Sequence, residues 1–372
     1  MVGRPETGAS TTLVDEMEPD RDAILRALDQ VIDPELQRPV TELDMVRDVS
    51  SADGVVSLTI VLTIAGCPLR ESFQQQVDKA LATVPGVRGF ELSFGVMTPE
   101  ERQALTTKLR GGAPERDNVI RLPRDCRVIA VASGKGGVGK SSLSANLAVA
   151  FSQLGKRVGI LDADIYGHSI PNILGIHQQP VLVDQMIVPP VKDGMRLMSI
   201  GFFLDDNEPV MWRGPMLHKA LEQFLTDVHW GDIDVLVVDM PPGTGDMAIS
   251  LGQLLPRAEV VVVTTPQKLA QDVASRAATM ARKTNMRLLG VIENMTGDVF
   301  GEGGGRSLAG QLDVPLLGQV PLDTLLREQG DLGEPIVASH PDSETAQTIV
   351  AIAEAIAART TGTIVKSLPL VG

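Results

Sequence analysis

Gly134, Gly139, Lys140 and Ser141 are spaced as Gly-x4-Gly-Lys-Ser, and this spacing suits a loop that holds a chain of phosphates. The full segment runs Gly134-Lys135-Gly136-Gly137-Val138-Gly139-Lys140-Ser141-Ser142 between an apolar run and a helical one. Glycines let backbone N–H groups turn inward toward phosphate oxygens, and a helix N-terminus adds partial positive charge. Lys140 has the reach for the β- and γ-phosphates, and the Ser141 hydroxyl is a ligand for Mg2+. ATP and Mg2+ are the cofactors expected. Gly134, Gly136 and Gly139 also satisfy Gly-x-Gly-x-x-Gly, the dinucleotide fingerprint, with Asp162 at a suitable distance to meet a ribose. Two features favour the triphosphate. Lys140-Ser141 would have no role beside a dinucleotide, and Asp239 closes VLVVD (235–239) where a Mg2+ shell needs a carboxylate.

Other carboxylates stand at strand ends. Asp162 and Asp164 close VGILD (158–162) and its exit; Asp164 is expected to orient the attacking water, with Asp162 nearer the metal shell. After Asp239 the chain reads Met-Pro-Pro-Gly-Thr-Gly-Asp to Asp246; Gly243 can offer its N–H to a γ-phosphate, and the two prolines stiffen the approach. Weaker signals are expected to be structural. His168 reads as a solvated or hydrogen-bonded ring, Asp33 and Glu35 as turn and cap chemistry, and Met195, Met198 and Met211 as core filling.

The elements that must position these groups are legible as apolar runs. VIAVA (128–132), VGILD (158–162), VLVVD (235–239), VVVVTT (260–265), LLGVI (288–292) and LLGQV (316–320) are mostly continuous rather than alternating, as parallel strands buried on both faces require. With helical stretches between them, they predict an α/β fold: a doubly wound, mostly parallel sheet of at least six strands. Upstream, a helix over 20–32 ended by Asp33-Pro34, a strand over 55–64, a second helix from Leu69 and a strand over 87–96 predict a small α+β domain. The expected division is a disordered tail over 1–19, the α+β domain over 20–96, a linker with one short helix over 97–123, the nucleotide domain over 124–362, and a tail over 363–372.

The 372-residue chain carries 33 Lys+Arg against 47 Asp+Glu, a net charge of −14, which disfavours nucleic acid and anionic lipid as partners. Aromatic residues at 3% argue against stacking platforms for single strands. The N-terminal segment is polar and acidic and no apolar run approaches a spanning length, so a cytoplasmic location without membrane contact is expected. Cys67 and Cys126 are the only cysteines, which rules out a disulfide framework and any metal site built from four cysteines of one chain.

Longer blocks carry a family likeness. DADIYGHSIPNILG (162–175), MWRGPMLHKALEQFL (211–225), VDMPPGTGDMAISLGQ (238–253), VTTPQKLAQDVASRA (263–277) and VIENMT (291–296) resemble the Mrp (ApbC-like) ATPases, a family of iron–sulfur cluster carriers. VIDPEL (31–36), LDMVRDV (43–49) and TIAGCP (63–68) resemble the small MIP18-like domain often fused ahead of that ATPase. The resemblance implies an ATP-hydrolysing homodimer that transfers a [4Fe–4S] cluster to apoproteins, with apoprotein clients and iron–sulfur assembly factors as partners. It implies that Asn294 contacts the base and that Pro321 to Asp323 line the base pocket. The loop also resembles the deviant Walker A form of the ParA/MinD superclass, in which a second lysine, here Lys135, crosses to the partner's nucleotide; Lys135, Lys140 and Asp164 are then the catalytic set.

The chain departs from the family in one place. Many members carry Cys-x-x-Cys soon after Glu-Asn-Met, whereas ENMTGDVFGEGGG (293–305) has no cysteine. Cys67 lies between a strand end and a helix start, where the dipole favours thiolate, and it matches the family's Gly-Cys-Pro position; it is the expected cluster ligand. Cys126 reads as a structural thiol. Two other functions stay open: a nucleotide-gated adaptor that holds no cluster, and a MinD/ParA-like positioning ATPase. The second needs a basic amphipathic tail, but the helix read over 343–360 has one Arg and two Glu.

Overall fold

The computed structural model describes residues 18–64, 69–111, 120, 122–165, 167–203, 214–243 and 245–359. Cys67, Met211, most of both expected tails and residues 112–119 lie outside them. The chain divides into two compact units, 1–115 and 116–372.

The first unit contains α1 (Arg21–Leu28), β1 (Val46–Ala52), β2 (Val55–Leu62), α2 (Arg70–Leu81), β3 (Gly89–Val96) and α3 (Pro99–Leu109). β1 and β2 form a hairpin across Asp53-Gly54, both at positive φ (51° and 78°), the twist that a two-residue turn between antiparallel strands needs. β3 returns parallel to β2 through α2. Val56, Leu58 and Ile60 alternate into a core with Ile24, Leu28, Phe73 and Val77.

Two expectations shift here. α1 stops at Leu28, earlier than Asp33-Pro34, because the Ile32 N–H turns to the Gln76 side chain at 2.9 Å and Val31 pairs with Val40. The helix expected in the linker packs within the first unit: Leu105 and Thr106 are buried, and Lys108 and Glu101 reach Asp44 (2.6 Å) and Arg47 (3.5 Å). It starts at a reciprocal capping box closed by Thr98 and Glu101.

The second unit contains β4 (Arg127–Ser133), α4 (Lys140–Gln153), β5 (Val158–Asp162), α5 (Ile170–Ile173), β6 (Val181–Val183), β7 (Met186–Val188), β8 (Val191–Lys192) and β9 (Met195–Ser199). It continues with α6 (Gly214–Thr226), β10 (Val235–Asp239), α7 (Asp246–Leu254), β11 (Glu259–Thr264), α8 (Lys268–Lys283), β12 (Arg287–Thr296) and α9 (Gly304–Leu312). β13 (Leu316–Pro321), α10 (Thr324–Leu332), α11 (Ile336–Ser339) and α12 (Glu344–Ala357) complete it. Eight strands form one sheet in the order β13-β12-β11-β4-β10-β5-β9-β8, parallel throughout except for β8 at the edge. Val128–Ala132 and Val235–Val238 are buried on both faces, which explains why their sequences do not alternate. Met195 and Met198 sit on β9 at 2% and 0% exposure, as core filling. From β4 the chain winds outward to β5, and from β10 it crosses to β11 on the other side, so loops diverge at the C-terminal ends of β4 and β10. Such a crevice is where open α/β sheets bind ligands.

Candidate nucleotide site

β4 ends at Ser133, and the glycine loop carries the chain to α4, whose N-terminal neighbour Gly139 takes φ 79°. A Cβ there would stand 2.2 Å from Asn294 Nδ2, and one at Gly134 would stand 2.3 Å from the backbone of Val273 and Ala274. Glycine at these two positions is therefore a packing requirement as well as a conformational one. The loop opens onto a cavity of about 1000 Å3. Lys135, Lys140, Ser141, Asp164, Asn294 and Asp323 are all on its wall.

Behind that wall the charges are concentrated. Lys140, 6% exposed, places Nζ 2.7 Å from Asp239 Oδ2 and 3.7 Å from Asp164 Oδ2. Ser141 Oγ donates to the same Asp239 oxygen at 2.7 Å, and Ser144 Oγ donates to Oδ1 at 2.5 Å. The fully buried Asp239 carboxylate is thus held by one ammonium and two hydroxyls, all from the first turns of α4. A hydroxyl beside a carboxylate is a hard-oxygen donor set of the type Mg2+ prefers, so Ser141 and Asp239 fit that ion.

Asp162 is fully buried and off the cavity wall. It accepts the N–H groups of Asp164 (3.2 Å) and Ile170 (3.3 Å) and the Ser199 hydroxyl (3.1 Å). Burial, then the nearby Asp239 charge, raise its pKa to about 7. Its geometry is that of a group bracing the Asp164 segment. Asp164 itself is raised chiefly by burial, opposed by Lys140, and it accepts the Gly167 N–H at 3.2 Å. The Gly243 N–H, expected to face a γ-phosphate, donates here to the Ser133 carbonyl at 2.8 Å, closing the segment after β10 onto the start of the phosphate loop. Asp246 opens α7.

On the other side of the cavity, Asn294 donates Nδ2 to the Val138 carbonyl at 2.8 Å, which fixes which way its amide points. Its Oδ1 is buried and has no hydrogen-bond partner among the described residues. A buried acceptor without a donor is costly, and a ligand amine on the cavity side would satisfy it. Pro321, Leu322 and Asp323 line the same side. Asp323 has both oxygens engaged, by the Leu325 N–H (2.8 Å) and the Thr345 hydroxyl (2.5 Å), so it holds α10 in place.

Two supporting residues escaped the sequence reading. Ser144 was legible in principle, since it lies one turn after Lys140 on the same helix face. Glu293 was not: buried at the end of β12, it accepts from Gly303 and Gly305 N–H (3.2 and 2.9 Å) and from Gln319 (2.7 Å), pinning the glycine turn that starts α9. His168 Nδ1 lies 3.5 Å from the Ile165 carbonyl, and its ring packs against Gly201. Cys126 is partly buried against the core, and burial pushes its thiol up to about 12. In the first unit, Asp33 Oδ1 caps its own turn by accepting Glu35 and Leu36 N–H, each at 2.8 Å. Glu35 is raised to about 7 by burial and the Asp33 charge. Among the described residues no group of three His, Cys, Asp or Glu side chains could hold a metal, and no helix is long and apolar enough to cross a membrane.

A glycine-rich loop between a parallel strand and a helix, with Lys140, Ser141 and the carboxylates of two neighbouring strand ends converging beside it, defines a P-loop NTPase. The chain belongs to the family of NUBPL iron-transfer P-loop NTPases, whose model matches residues 126–357. Residues 21–92 match the iron-sulfur cluster assembly protein family. The chain is 50% identical to the iron-sulfur cluster carrier protein of Mycobacterium leprae, covering 91% of this chain and 93% of that one. It is 44% identical to the iron-sulfur cluster carrier protein of Synechocystis, covering 91% and 97%. The septum site-determining protein MinD complexed with Mg-ADP, from Pyrococcus horikoshii, aligns with a TM-score of 0.50 at 24% identity, over 62% of this chain and 96% of that one; this is a likeness of fold.

Proposed function

We propose that the chain binds and hydrolyses ATP as a homodimer and carries iron–sulfur clusters to apoproteins. The observation that carries the nucleotide half is the Lys140–Ser141–Asp239–Asp164 group beside a glycine loop, with an Asn294 oxygen on the same cavity that has no hydrogen-bond partner among the described residues. Oδ1 accepts hydrogen bonds, so it favours the exocyclic amine of adenine over the carbonyl of guanine. Ser141 and Asp239 would hold Mg2+, which when bound neutralises charge on the phosphates. Lys140 leaves Asp239 for phosphate oxygens, Asp164 orients water, and Lys135, half-buried on the cavity wall, supplies a cation to the partner's nucleotide as in the deviant Walker A form.

The names of the relatives support cluster carriage as the second half. Cys67 supplies the thiolate; the Cys126 thiol is partly buried against the core, and burial pushes it up to about 12. With two cysteines in the chain, an adaptor that gates partners by nucleotide and holds no cluster is the second reading. Hydrolysis by the pure protein tests the nucleotide half. ATP is expected to be turned over in Mg2+ at least tenfold faster than GTP, with Lys140→Ala inactive. Equal rates for the two would refute the base assignment, and no binding of either would refute the site.

A further inference from the structure

The cavity has two walls that belong to different parts of the chain. One is the segment after β5, with Asp164, Gly167, Ser169, Asn172 and Ile173; the other is α10, with Leu326, Arg327, Gly330 and Gly333. Their C-terminal ends meet at Gly175 and Gly333. The backbones of Gly175 and Gly333 approach so closely that a Cβ on Gly175 would stand 2.7 Å from the Gly333 carbonyl, and one on Gly333 would stand 2.7 Å from Gly175 Cα. Both residues have positive φ, 61° and 75°. At this junction Lys192 Nζ donates to the Leu174 carbonyl at 2.5 Å and lies 3.3 Å from the Gly333 carbonyl. Leu174 and Gly333 are the C-terminal caps of α5 and α10, where unsatisfied carbonyls gather partial negative charge, so one ammonium serves two helix ends.

Lys192 does not line the nucleotide cavity; it lines a separate groove of about 260 Å3. It is nevertheless linked to the chemistry by two routes. α5 begins at Ile170, whose N–H is held by Asp162, and ends at Leu174, held by Lys192. The β8–β9 hairpin carries Lys192 at one end and, at the other, Ser199, which also bonds Asp162. A lysine spent only on solubility would not bridge two buried helix ends whose contact requires glycine on both sides.

We propose that Lys192 is a positioning residue of the nucleotide site, a clamp that makes the base-side wall α10 and the Asp162–Asp164 segment move as one body. This rests on the ATP reading above. Nucleotide contact with α10 is then transmitted to the carboxylate that orients water, and binding at one wall orders the other.

The test compares wild type, Lys192→Met and Lys192→Arg by hydrogen exchange with and without saturating Mg2+ and ADP, and by ATP turnover. In wild type, ADP is expected to slow exchange over both 167–176 and 324–334. In Lys192→Met the protection of 324–334 persists, that of 167–176 is lost, and kcat falls about fivefold or more while KM changes less than twofold. Lys192→Arg, which can still donate to both carbonyls, restores both. Should Lys192→Met fail to fold, Gly175→Ala pries the same ends apart with Lys192 intact and is expected to give the same split. Protection of both segments with unchanged kcat in the Met or Ala variant overturns the clamp. Wild type that neither binds ADP nor hydrolyses ATP overturns the nucleotide reading, and the clamp with it.

Discussion

Ser144→Ala isolates one interaction at the heart of the site without touching the cavity wall. Ser144 is fully buried on α4, and its hydroxyl lies 2.5 Å from Asp239 Oδ1 and 3.0 Å from the Lys140 carbonyl. Its single proton goes to the shorter contact and the charged acceptor, the geometry of a strong O–H···O⁻ bond. Asp239 Oδ1 has no other donor among the described residues, so removing the hydroxyl leaves a buried carboxylate oxygen bare. Such a bond contributes about 1.5–3 kcal/mol. Alanine recovers roughly 0.5 kcal/mol through its better helix propensity, and it fits where serine stood. The net cost is about 1–2.5 kcal/mol, or a Tm lower by roughly 2–10 °C for a domain of this size. Thermal or urea unfolding without nucleotide measures it, and the same substitution in an Asp239→Ala background gives the coupling. A cost below about 0.5 kcal/mol, or an equal cost in both backgrounds, would show that the hydroxyl does not serve Asp239.

Other consequences are as open to measurement. Asp162 holds its proton to about pH 7 when folded, against 3.8 for an ordinary aspartate carboxyl. The folded chain therefore binds the extra proton between those values. The group's contribution is whole below about pH 4 and is lost as pH rises through 7, by at most about 4 kcal/mol. The stability gap between pH 5 and pH 8 should shrink in Asp162→Asn; an unchanged gap contradicts the assignment. Gly139→Ala forces a side chain into positive φ and against Asn294, so ATP affinity should fall at least tenfold by calorimetry; wild-type affinity would show that the loop tolerates a Cβ there. With its thiol at about 12, Cys126 carries roughly one thiolate in ten thousand at pH 8. In Cys67→Ala, iodoacetamide should label it only after unfolding; rapid labelling of the native chain would mean that the thiol is not shielded by the core.

The phosphate loop and the central strands were legible because their signals are local. A loop motif fixes its own backbone, and continuous Val/Ile runs announce strands buried on both faces. What escaped was set by contacts distant in sequence. Lys192 meets Gly333 across 141 positions, and Glu293 gains its meaning only when the turn at Gly303–Gly305 folds back on it. β1 (VRDVSSA) is half-exposed and interrupted at Asp48, so neither alternation nor apolarity marks it. α1 ends early because Gln76, on another helix, captures the Ile32 N–H. The carboxylates were correctly placed at strand ends, but which of them faces the cavity depended on side-chain packing: Asp164 does and Asp162 does not.

Whether two cysteines suffice for a cluster carrier is decided most directly by anaerobic reconstitution. The pure protein is incubated with iron and sulfide, and iron per dimer is counted alongside the absorbance of the cluster bands, for wild type and Cys67→Ala. Carriage through Cys67 predicts about four irons per wild-type dimer, a [4Fe–4S] complement, and none in Cys67→Ala. A wild-type protein that takes up no cluster contradicts direct carriage and leaves the adaptor reading, and a cluster that survives Cys67→Ala contradicts the ligand.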